Sequence, residues 1–474
     1  MKKEELLIKT IFDVLKENSD IVSSTVVGSI NSMDLEKISD IDIIVIVKKI
    51  DIRIINSIKS SLTNIDLNKL DIEKKIFIND TFGPLKFDNK NNLVLHLMIY
   101  DHNLHIQHVE NSPFTCFDWE RSENFTGYSL SEISSVHKLM LNDFVSSRRG
   151  TKEYIEDISK NRISYRKYES QNGELVQVKT YYDLDERHAI EFAYHIIYNS
   201  ISNLLKVNFN KNIKFEFSDF MQVWSDEYEE LYGKYNKIFS KLYYLKLNKE
   251  IEKLDIVEIV GNFLKDFDFI VNEYLKKSKK IILIRHLKTN LNDGRFLGSE
   301  NEIDIIENQD VSLELKNFNF SNFEIYTSPS NRCIQTINKL KLGSYNVSDD
   351  LKEINYGKAD GLFFDEVIDQ YKYISDSIEK EDDFKFPEGE NNTMVYERIE
   401  KFLSTSNQNS ALFTHQGVIR CMIGFSLEIP ITKWYLINVP HGYPIQFIEL
   451  NSKYLLNTDR KTFSEIMKNF NAEI

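Results

Sequence analysis

Two arginines and two histidines follow short apolar runs in the C-terminal part of the chain. Arg285 and His286 come at the end of the run IILI, and His415 follows ALFT. Arg332 lies a few residues beyond EIYT, near the start of a helical pattern. Each run is typical of a strand followed by a turn and a helix. Because active sites of α/β folds lie at the carboxyl ends of strands, we expect these side chains to converge on one anion.

The residue types suit a phosphate monoester. Arginine offers planar paired donors to phosphate oxygens, and a helix N-terminus adds backbone N–H groups. A histidine among arginines has its cationic form disfavoured, so one histidine can stay neutral and act as a nucleophile. The second histidine can donate to the transferring phosphoryl group. A carboxylic acid must protonate the leaving oxygen, and Glu353 in DDLKEINYGKADG is the candidate.

Several segments of this region resemble, in order, the motifs of the histidine phosphatase (phosphoglycerate-mutase-like) superfamily. The resemblance covers essentially all of 281–450. The segments are LIRHLKTNLN, GRFLG, TSPSNRCIQT, LKEINYGKADG, FPEGEN and FTHQGVIR. The competing interpretations are a structural strand-end histidine and an Arg285 that only pairs with a nearby acid. So many ordered motifs are improbable by chance, which favours the phosphatase.

The resemblance implies a three-layer α/β fold and a role for each residue. It implies that His286 is the phosphorylated nucleophile and that Glu353 is the proton donor. It also implies that Arg285, Arg332 and His415 bind phosphate. The further substrate phosphate contacts expected from it are Asn292, Arg295 and Gln416.

Two residues after the nucleophile depart from the family pattern. Leu287 and Lys288 stand where the family usually has Gly and Glu. Because these positions adjoin the expected site, we expect a changed substrate preference with no catalytic group lost. The domain is compact and lacks the insertions typical of the mutases, which favours hydrolysis. No cofactor is expected here, because arginines and helix dipoles already neutralise the phosphate.

A second set of chemical groups lies near the N-terminus, in VVGSINSMDLEKISDIDIIVIV. Gly28 and Ser29 follow an apolar strand, which suits backbone binding of triphosphate oxygens. Asp40 and Asp42 lie two residues apart at the next strand, so both carboxylates are expected on one face, opposite Ile41 and Ile43. Adjacent carboxylates repel unless a cation joins them, and Mg²⁺ is the natural partner.

These residues resemble the G-S…D-x-D motif of the polymerase-β-type nucleotidyltransferases. The match covers about 20–115, and the following helical segment resembles the substrate-side domain that such enzymes often carry. The family usually adds a third carboxylate on a later strand. Here LVLHLMIYD offers His96 on the strand and Asp101 just beyond it, and neither matches cleanly.

Structural alternatives exist for these N-terminal groups. Charged residues such as Asp40 and Asp42 also protect edge strands from aggregation, and a strand histidine such as His96 is usually a satisfied core residue. The segment YDHNLHIQHVE spaces three histidines for one helical face, although a loop is an equal interpretation. With no cysteine to support zinc, metal binding by that group is not favoured.

The elements that must position these groups suggest three domains. Residues 1–115 alternate an opening helix with Ile- and Val-rich strands, and the resemblance implies that they form the mixed sheet of a nucleotidyltransferase core. Residues 116–278 carry apolar residues at helical spacing and are predicted to be a helical domain. From 279 to 474 strands and helices alternate again, as in an α/β histidine phosphatase domain. The predicted fold class is therefore multidomain, α/β and α+β.

Composition excludes several classes of protein. The 474 residues include 59 Lys+Arg and 73 Asp+Glu, a formal net charge of −14, which disfavours general binding to nucleic acid or anionic membranes. The 3 cysteines are scattered without a CxxC pair, which excludes a disulfide framework and fits a reducing compartment. The charged amphipathic start does not resemble a signal peptide, and no apolar run would span a bilayer. We therefore expect a cytoplasmic protein.

The sequence thus predicts a bifunctional enzyme with an NTP and a phosphorylated small molecule as its ligands. A Mg²⁺-dependent nucleotidyl transfer to a small acceptor would be joined to phosphomonoester hydrolysis, in the making of a nucleotide-activated metabolite. In the alternative, the nucleotidyltransferase-like part is inactive or modifies a protein. The absent third carboxylate favours that alternative, whereas Gly28, Ser29, Asp40 and Asp42 favour the first.

Overall fold

The computed structural model divides the chain into two compact units. Unit 1 comprises Met1–Glu273 with Asn471–Ile474, and unit 2 comprises Tyr274–Phe470. The residues that the structure describes are 2–28, 30, 35, 38–85, 87, 91–146, 151–171, 174–209, 217–291, 294–298, 303–450 and 453–471.

Unit 1 combines one five-stranded sheet, a hairpin and a set of helices. Its strands are β1 (Ile21–Val27), β2 (Ile41–Val47), β3 (Lys75–Asn79), β4 (Asn92–Asp101), β5 (Phe125–Gly127), β6 (Arg162–Gln171) and β7 (Glu174–Asp183). Its helices are α1 (Lys3–Lys16), α2 (Ile52–Thr63), α3 (His102–Asn111), α4 (Pro113–Trp119), α5 (Leu130–Ile133), α6 (Asp143–Ser146), α7 (Thr151–Ser159), α8 (Glu186–Phe209), α9 (Phe217–Glu227), α10 (Glu229–Asn248) and α11 (Ile256–Lys277), whose last turn reaches into unit 2.

The sheet of unit 1 is mixed, in the order β3-β4-β2-β1-β5. Strands β3, β4 and β2 are parallel, whereas β1 runs antiparallel to both β2 and β5. Along β2 the side chains alternate: Ile41, Ile43 and Val45 pack with α1 and α2, and Ile44 and Ile46 join a second apolar cluster. This alternation puts the even-numbered position 42 on the opposite face from Ile41 and Ile43, as the period of 2 predicted.

The segment predicted to be helical contains strands as well. Residues 116–278 include β5, which extends the first sheet, and β6 and β7, which pair antiparallel as a hairpin. Tyrosine, valine and threonine in these strands, with the dipeptide Asn172–Gly173 between them, are the local signal for a hairpin. The helical hydrophobic pattern of the neighbouring sequence is stronger than this signal, so the hairpin was not predicted. Helices α8, α9, α10 and α11 confirm the helical pattern itself.

Unit 2 alternates strands and helices. Its strands are β8 (Lys279–Arg285), β9 (Glu324–Thr327), β10 (Asn346–Val347), β11 (Ser410–Thr414), β12 (Pro444–Leu450) and β13 (Lys453–Leu456). Its helices are α12 (Leu313–Lys316), α13 (Asn331–Leu340), α14 (Phe364–Gln370), α15 (Lys372–Glu379), α16 (Asn392–Ser404), α17 (Gln416–Leu427) and α18 (Arg460–Met467).

The sheet of unit 2 has the order β10-β9-β11-β8-β12-β13. The first four strands are parallel, and β12 and β13 are antiparallel additions. Strand β11 is buried along its whole length, as a central parallel strand covered on both faces must be. This arrangement confirms the predicted α/β architecture, and it places the carboxyl ends of β9, β11 and β8 side by side.

Among the described residues, no helix combines the length and the apolar character that crossing a membrane would require.

Candidate active sites

Three neighbouring strand ends in unit 2 bring the predicted phosphate-binding groups together. Arg285 is the last residue of β8, His415 follows β11, and Arg332 lies in the first turn of α13, after β9. Arg285 and Arg332 line a cavity of about 460 Å³, which we call the phosphate cavity. Its lining residues are Arg285, His286, Thr289, Leu291, Gly294, Arg295, Phe296, Leu297, Ile303, Arg332, Glu353, Tyr356, Gln416, Arg420 and His441.

His286 is held as a neutral ring with one nitrogen left for chemistry. Its Nδ1 lies 2.7 Å from the carbonyl oxygen of Leu287. A carbonyl only accepts, so Nδ1 carries the hydrogen and Nε2 keeps its lone pair. Burial lowers the pKa of His286 well below its usual value, and the charge of Arg332 lowers it further. The predicted neutral histidine is therefore present, although burial contributes more than the arginines do.

Arg285 combines two features of an anion-binding residue, a positive charge and a hydrogen-bond donor that the described part of the protein leaves unused. Its Nη1 donates to the carbonyl of Val439 at 2.9 Å. Its buried Nε has no hydrogen-bond partner among the described residues. Burial lowers the pKa of Arg285 to about 10, so it remains a cation at neutral pH. A buried cationic donor facing a cavity is satisfied when an anion binds there.

Arg332 and His415 form a buried pair beside His286. Arg332 donates from Nε to Nδ1 of His415 at 3.2 Å and from Nη2 to the carbonyl of Gly298 at 3.2 Å. Because Nδ1 of His415 accepts, its Nε2 carries the hydrogen and donates to the hydroxyl of Ser328 at 2.9 Å. Burial lowers the pKa of His415 well below its usual value. His415 does not line the phosphate cavity, so in this geometry it orients Arg332.

Glu353 faces the cavity from the other side and is fixed by its surroundings. Its carboxylate accepts the backbone N–H of Gly417 at 3.1 Å. A Cβ on that glycine would lie 2.4 Å from Oε1 of Glu353, so only glycine permits this approach. The FPEGEN segment clamps the loop, because Glu390 pairs with Arg398 at 3.0 Å while Arg398 donates to the carbonyl of Lys352 at 2.9 Å.

The remaining predicted phosphate contacts have different outcomes. Arg295 and Gln416 both line the phosphate cavity. Asn292 lies outside the described residues. Leu287 and Lys288, expected to adjoin the pocket, do not line it: Leu287 is 2% exposed in an apolar cluster and Lys288 is exposed. Their side chains turn away because the backbone N–H of Leu287 is bonded to Thr336 of α13.

Three cavity residues were missed by the sequence reasoning. His441 donates from Nδ1 to the carbonyl of His286 at 2.8 Å, and burial lowers its pKa to about 4. Tyr356 lies beside Glu353, whose charge adds to burial in raising the pKa of Tyr356 well above its usual value. Arg420 donates to two backbone carbonyls at 3.0 and 2.9 Å. Arg420 stands inside the quoted FTHQGVIR segment, but nothing local in sequence signals His441.

In unit 1 the candidate metal ligands form one cluster at the end of β2. Ligand atoms of Asp40, Asp42 and His96 all lie within 4.8 Å of one another, the one such group of histidine, cysteine and carboxylate residues found in the described part of the chain. Parallel pairing of β2 with β4 puts Asp42 directly opposite His96. His96 thus lies beside Asp42 on the neighbouring strand. Asp101 instead caps α3, accepting the N–H of Leu104 at 2.9 Å.

The hydrogen bonds of His96 direct one ring nitrogen at the carboxylate. Nε2 lies 2.7 Å from the carbonyl oxygen of Thr81, so it carries a hydrogen. Nδ1 lies 2.7 Å from Oδ1 of Asp42. Gly28 adopts φ +82°, and a Cβ there would lie 2.7 Å from Oδ2 of the same aspartate. Ser29, the predicted companion of Gly28, lies outside the described residues.

The three neighbouring histidines lie on a helix, α3. His105 is buried and His108 half-buried against aromatic rings, with Tyr100 stacked on His108 at a centroid distance of 5.1 Å. Burial lowers the pKa of His105 to about 4 and that of His108 to about 3. Their ring nitrogens have no hydrogen-bond partners among the described residues. They form no metal cluster in the described part of unit 1.

The comparisons with known proteins concern the C-terminal part of the chain. Residues 281–451 match the model of the histidine phosphatase superfamily, branch 1. This match confirms the predicted histidine phosphatase domain at the level of the family. It includes every catalytic residue predicted for the phosphatase.

Individual relatives are distant. A Caenorhabditis elegans 6-phosphofructo-2-kinase/fructose-2,6-bisphosphatase is 23% identical over 180 residues, which are 36% of this chain and 39% of that protein. A Thermus thermophilus phosphoglycerate mutase structure is 23% identical and covers 37% of this chain and 96% of its own, with a TM-score of 0.30. A phosphoserine phosphatase structure from Entamoeba histolytica is 22% identical and covers 38% and 95%, with a TM-score of 0.33.

Proposed function

We propose that unit 2 hydrolyses phosphate monoesters through a phosphohistidine formed on His286. The observation that carries this proposal is the free Nε2 of a neutral histidine in a cavity with the unpartnered Nε of Arg285. Two further groups support it: Arg332, which is held in place by His415, and Glu353, which faces the same cavity. The similar proteins are named as a bisphosphatase, a phosphoserine phosphatase and a phosphoglycerate mutase, which supports chemistry on phosphorylated small molecules.

The proposed reaction has two steps. In the first, Nε2 of His286 attacks phosphorus, the bond from phosphorus to the leaving oxygen breaks, and Glu353 gives that oxygen a proton. The arginines bind the equatorial oxygens, which hold the charge during transfer. In the second step water attacks the phosphohistidine, the P–N bond breaks, and Glu353 takes the proton from the water. The products are an alcohol and inorganic phosphate, and no metal takes part.

The test is a pair of variants in different units. His286→Ala should lower phosphate release at least a hundredfold, because it removes the proposed nucleophile, the free Nε2 of this histidine. Asp42→Ala is the matched control and should release phosphate at the wild-type rate. Wild-type protein would be quenched during turnover without acid, and mass spectrometry should then find the phosphoryl group on His286. Release above about a hundredth of the wild-type rate from His286→Ala would contradict the covalent mechanism.

A second function is proposed for unit 1, nucleotidyl transfer from an NTP to a small acceptor. The observation that favours it is the convergence of Asp40, Asp42 and His96 within 4.8 Å, with Gly28 at a positive φ beside Asp42. The three side chains fit a divalent cation, because their carboxylate and imidazole ligand atoms all lie within 4.8 Å of one another. Mg²⁺, when bound, would neutralise charge on the triphosphate.

The two activities together suggest consecutive steps in making a nucleotide-activated metabolite. To test nucleotidyl transfer, His286→Ala protein would be incubated with Mg²⁺, all four NTPs and a desalted metabolite extract. Mass spectrometry should then find a nucleotide conjugate that is absent when the same protein also carries the substitutions Asp40→Ala and Asp42→Ala. NTP binding without any conjugate would support an inactive binding module. Label transferred to a protein band would support a protein-modifying enzyme.

A further inference from the structure

A second cavity of about 650 Å³ opens beside the phosphate cavity in unit 2. We call it the aromatic cavity. Its lining residues are Gly294, Phe296, Ile354, Tyr356, Phe364, Ile378, Asp382, Phe384, Phe386, Asn392, Gly417, Arg420, Ile431, Thr432, Trp434 and Tyr435. Four of these also line the phosphate cavity, namely Gly294, Phe296, Tyr356 and Arg420.

An aromatic wall connects the two cavities. Phe296 and Tyr356 belong to both, with ring centroids 4.8 Å apart. Each contacts Phe386, at 5.2 and 4.9 Å, and Phe386 contacts Phe384 at 5.1 Å. A substrate whose phosphate lies at Arg285 would therefore extend its alcohol along this wall. Contact with these rings removes apolar surface of the alcohol from water.

The charge of the aromatic cavity does not suit a second anionic group. Arg420 is the one cation among the described lining residues of the aromatic cavity. It donates from Nε to the carbonyl of Ile437 and from Nη2 to the carbonyl of Tyr435. Asp382 adds a negative charge on the same lining. An anion placed here would meet one guanidinium, two of whose nitrogens already donate to carbonyls, and one carboxylate, so its loss of hydration would be poorly compensated.

We infer that the aromatic cavity binds the leaving alcohol of the substrate, and that this alcohol is a bulky apolar or aromatic group without a second phosphate. The inference rests on the proposed phosphatase function, because it concerns the part of the substrate beyond the phosphoryl. The observations that carry the inference are separate from those that carry the phosphatase proposal, because they are the continuity of the two cavities and the composition of the aromatic cavity.

A series of n-alkyl phosphates tests this inference with leaving groups of equal reactivity. From ethyl to butyl to hexyl phosphate, kcat/KM for phosphate release should rise about threefold for each added methylene, as expected for transfer of a methylene out of water. Glycerol 3-phosphate has a longer chain than ethyl phosphate but is polar, so its kcat/KM should stay near that of ethyl phosphate. A flat series, or glycerol 3-phosphate equal to hexyl phosphate, would overturn the inference while leaving the phosphatase intact.

A variant locates the effect. Phe364 lies in α14, is 46% exposed and lines the aromatic cavity but not the phosphate cavity. Phe364→Ala should lower kcat/KM for hexyl phosphate about tenfold and should reduce the hexyl-to-ethyl ratio. Phe269→Ala in unit 1, at a phenylalanine that is 66% exposed, is the matched control and should keep the wild-type ratio. An unchanged ratio in Phe364→Ala would contradict the assignment of the cavity.

Failure of the phosphatase proposal would be recognised separately, because no ester would then release phosphate. In that event binding still decides the inference. Calorimetry on the His286→Ala protein would compare ethylphosphonate, butylphosphonate and hexylphosphonate, which lack a cleavable ester oxygen. Affinity should rise with chain length by a similar factor for each methylene. Equal affinities would overturn the inference, whatever the enzyme's activity.

Discussion

The two candidate sites use the same local construction for opposite chemistry. In unit 2 a carboxylate, Glu353, is approached by Gly417, and the surrounding arginines make the cavity a site for an anion. In unit 1 Asp42 is approached by Gly28, and the neighbours are Asp40 and His96, which suit a cation. In each case a glycine leaves room for the carboxylate. The charge of the neighbouring residues then decides which ligand fits.

The sites also differ in how far their groups are already fixed. In unit 2 His286, Arg332, His415 and Glu353 each have a hydrogen bond that sets the orientation of the side chain. Such preorganisation is the main source of catalytic power in phosphoryl transfer. In unit 1 the closest contact within the cluster described is that of Nδ1 of His96 with Oδ1 of Asp42, at 2.7 Å. The proposed phosphatase site thus has four groups oriented by hydrogen bonds, whereas the proposed metal site is built around one such contact.

The largest effect is expected where a methyl group is placed against Glu353, the proposed proton donor. Gly417→Ala would bring a Cβ to 2.4 Å from Oε1 of Glu353, so the carboxylate must move. Loss of a positioned acid costs about a hundredfold or more, so kcat for phosphate release should fall about a hundredfold. Gly343→Ala is the control, because a Cβ there meets nothing within 4 Å. Steady-state kinetics with an alkyl phosphate would measure kcat for both variants. A decrease of less than fivefold in Gly417→Ala would mean that this glycine is not needed to leave room for the carboxylate.

The buried histidines of unit 1 give the next effect, on stability in acid. The pKa of His105 is lowered by burial to about 4, from an ordinary value of 6.5. Between these two values the unfolded chain binds a proton that the folded one does not, so the free energy of unfolding falls as the pH falls. His105→Leu removes that loss without breaking a hydrogen bond. Relative to wild type, its free energy of unfolding should rise by about 2 kcal/mol from pH 7.5 to pH 4.5.

Tryptophan fluorescence can follow unit 1 by itself. The chain has 3 tryptophans, and only Trp434 belongs to unit 2. In a Trp434→Phe background, urea unfolding therefore reports on Trp119 and Trp224 of unit 1. A difference between His105→Leu and its parent that stays constant from pH 7.5 to pH 4.5 would exclude this histidine as a source of acid sensitivity.

A smaller effect is expected at the glycine of unit 1. Gly28→Ala would place a Cβ 2.7 Å from Oδ2 of Asp42, at a φ of +82° that disfavours side chains. Displacing a ligand by this amount should weaken Mn²⁺ binding about tenfold. Gly233→Ala in α10, where a Cβ meets nothing within 4 Å, is the control. Electron paramagnetic resonance of free Mn²⁺ measures the affinity; equal affinity in both variants would mean that Asp42 is not a ligand.

The sequence predicted best what a local pattern encodes. Alternation in IDIIVIV correctly separated Asp42 from Ile41 and Ile43, because the period of a strand is a local property. The strand ends with Arg285 and His415 were likewise predicted, since each motif lies within a few residues. Their convergence followed from the general rule for parallel strands.

The sequence did not predict what depends on pairing between distant segments. His96 faces Asp42 only because β4 pairs with β2 in a particular register, 54 residues apart along the chain. His441 reaches the nucleophile from the loop before β12, 155 residues after His286. The sequence likewise did not indicate that the side chain of Leu287 packs in the apolar core while its N–H is bonded to Thr336 of α13. Such contacts are set by tertiary packing and leave no local signal.

The smallest effect is expected at Lys288, which stands beside the nucleophile in sequence but not in the cavity. Its side chain is exposed, while its backbone N–H donates to Gln309 at 2.8 Å and holds the loop independently of the side chain. Lys288→Glu restores the usual family residue, and an exposed charge acts weakly through water. We therefore expect kcat/KM for an alkyl phosphate to change less than about threefold. A larger change, lost again at high ionic strength, would mean that the field of this residue reaches the cavity and that the lining residues alone do not set the preference of the site.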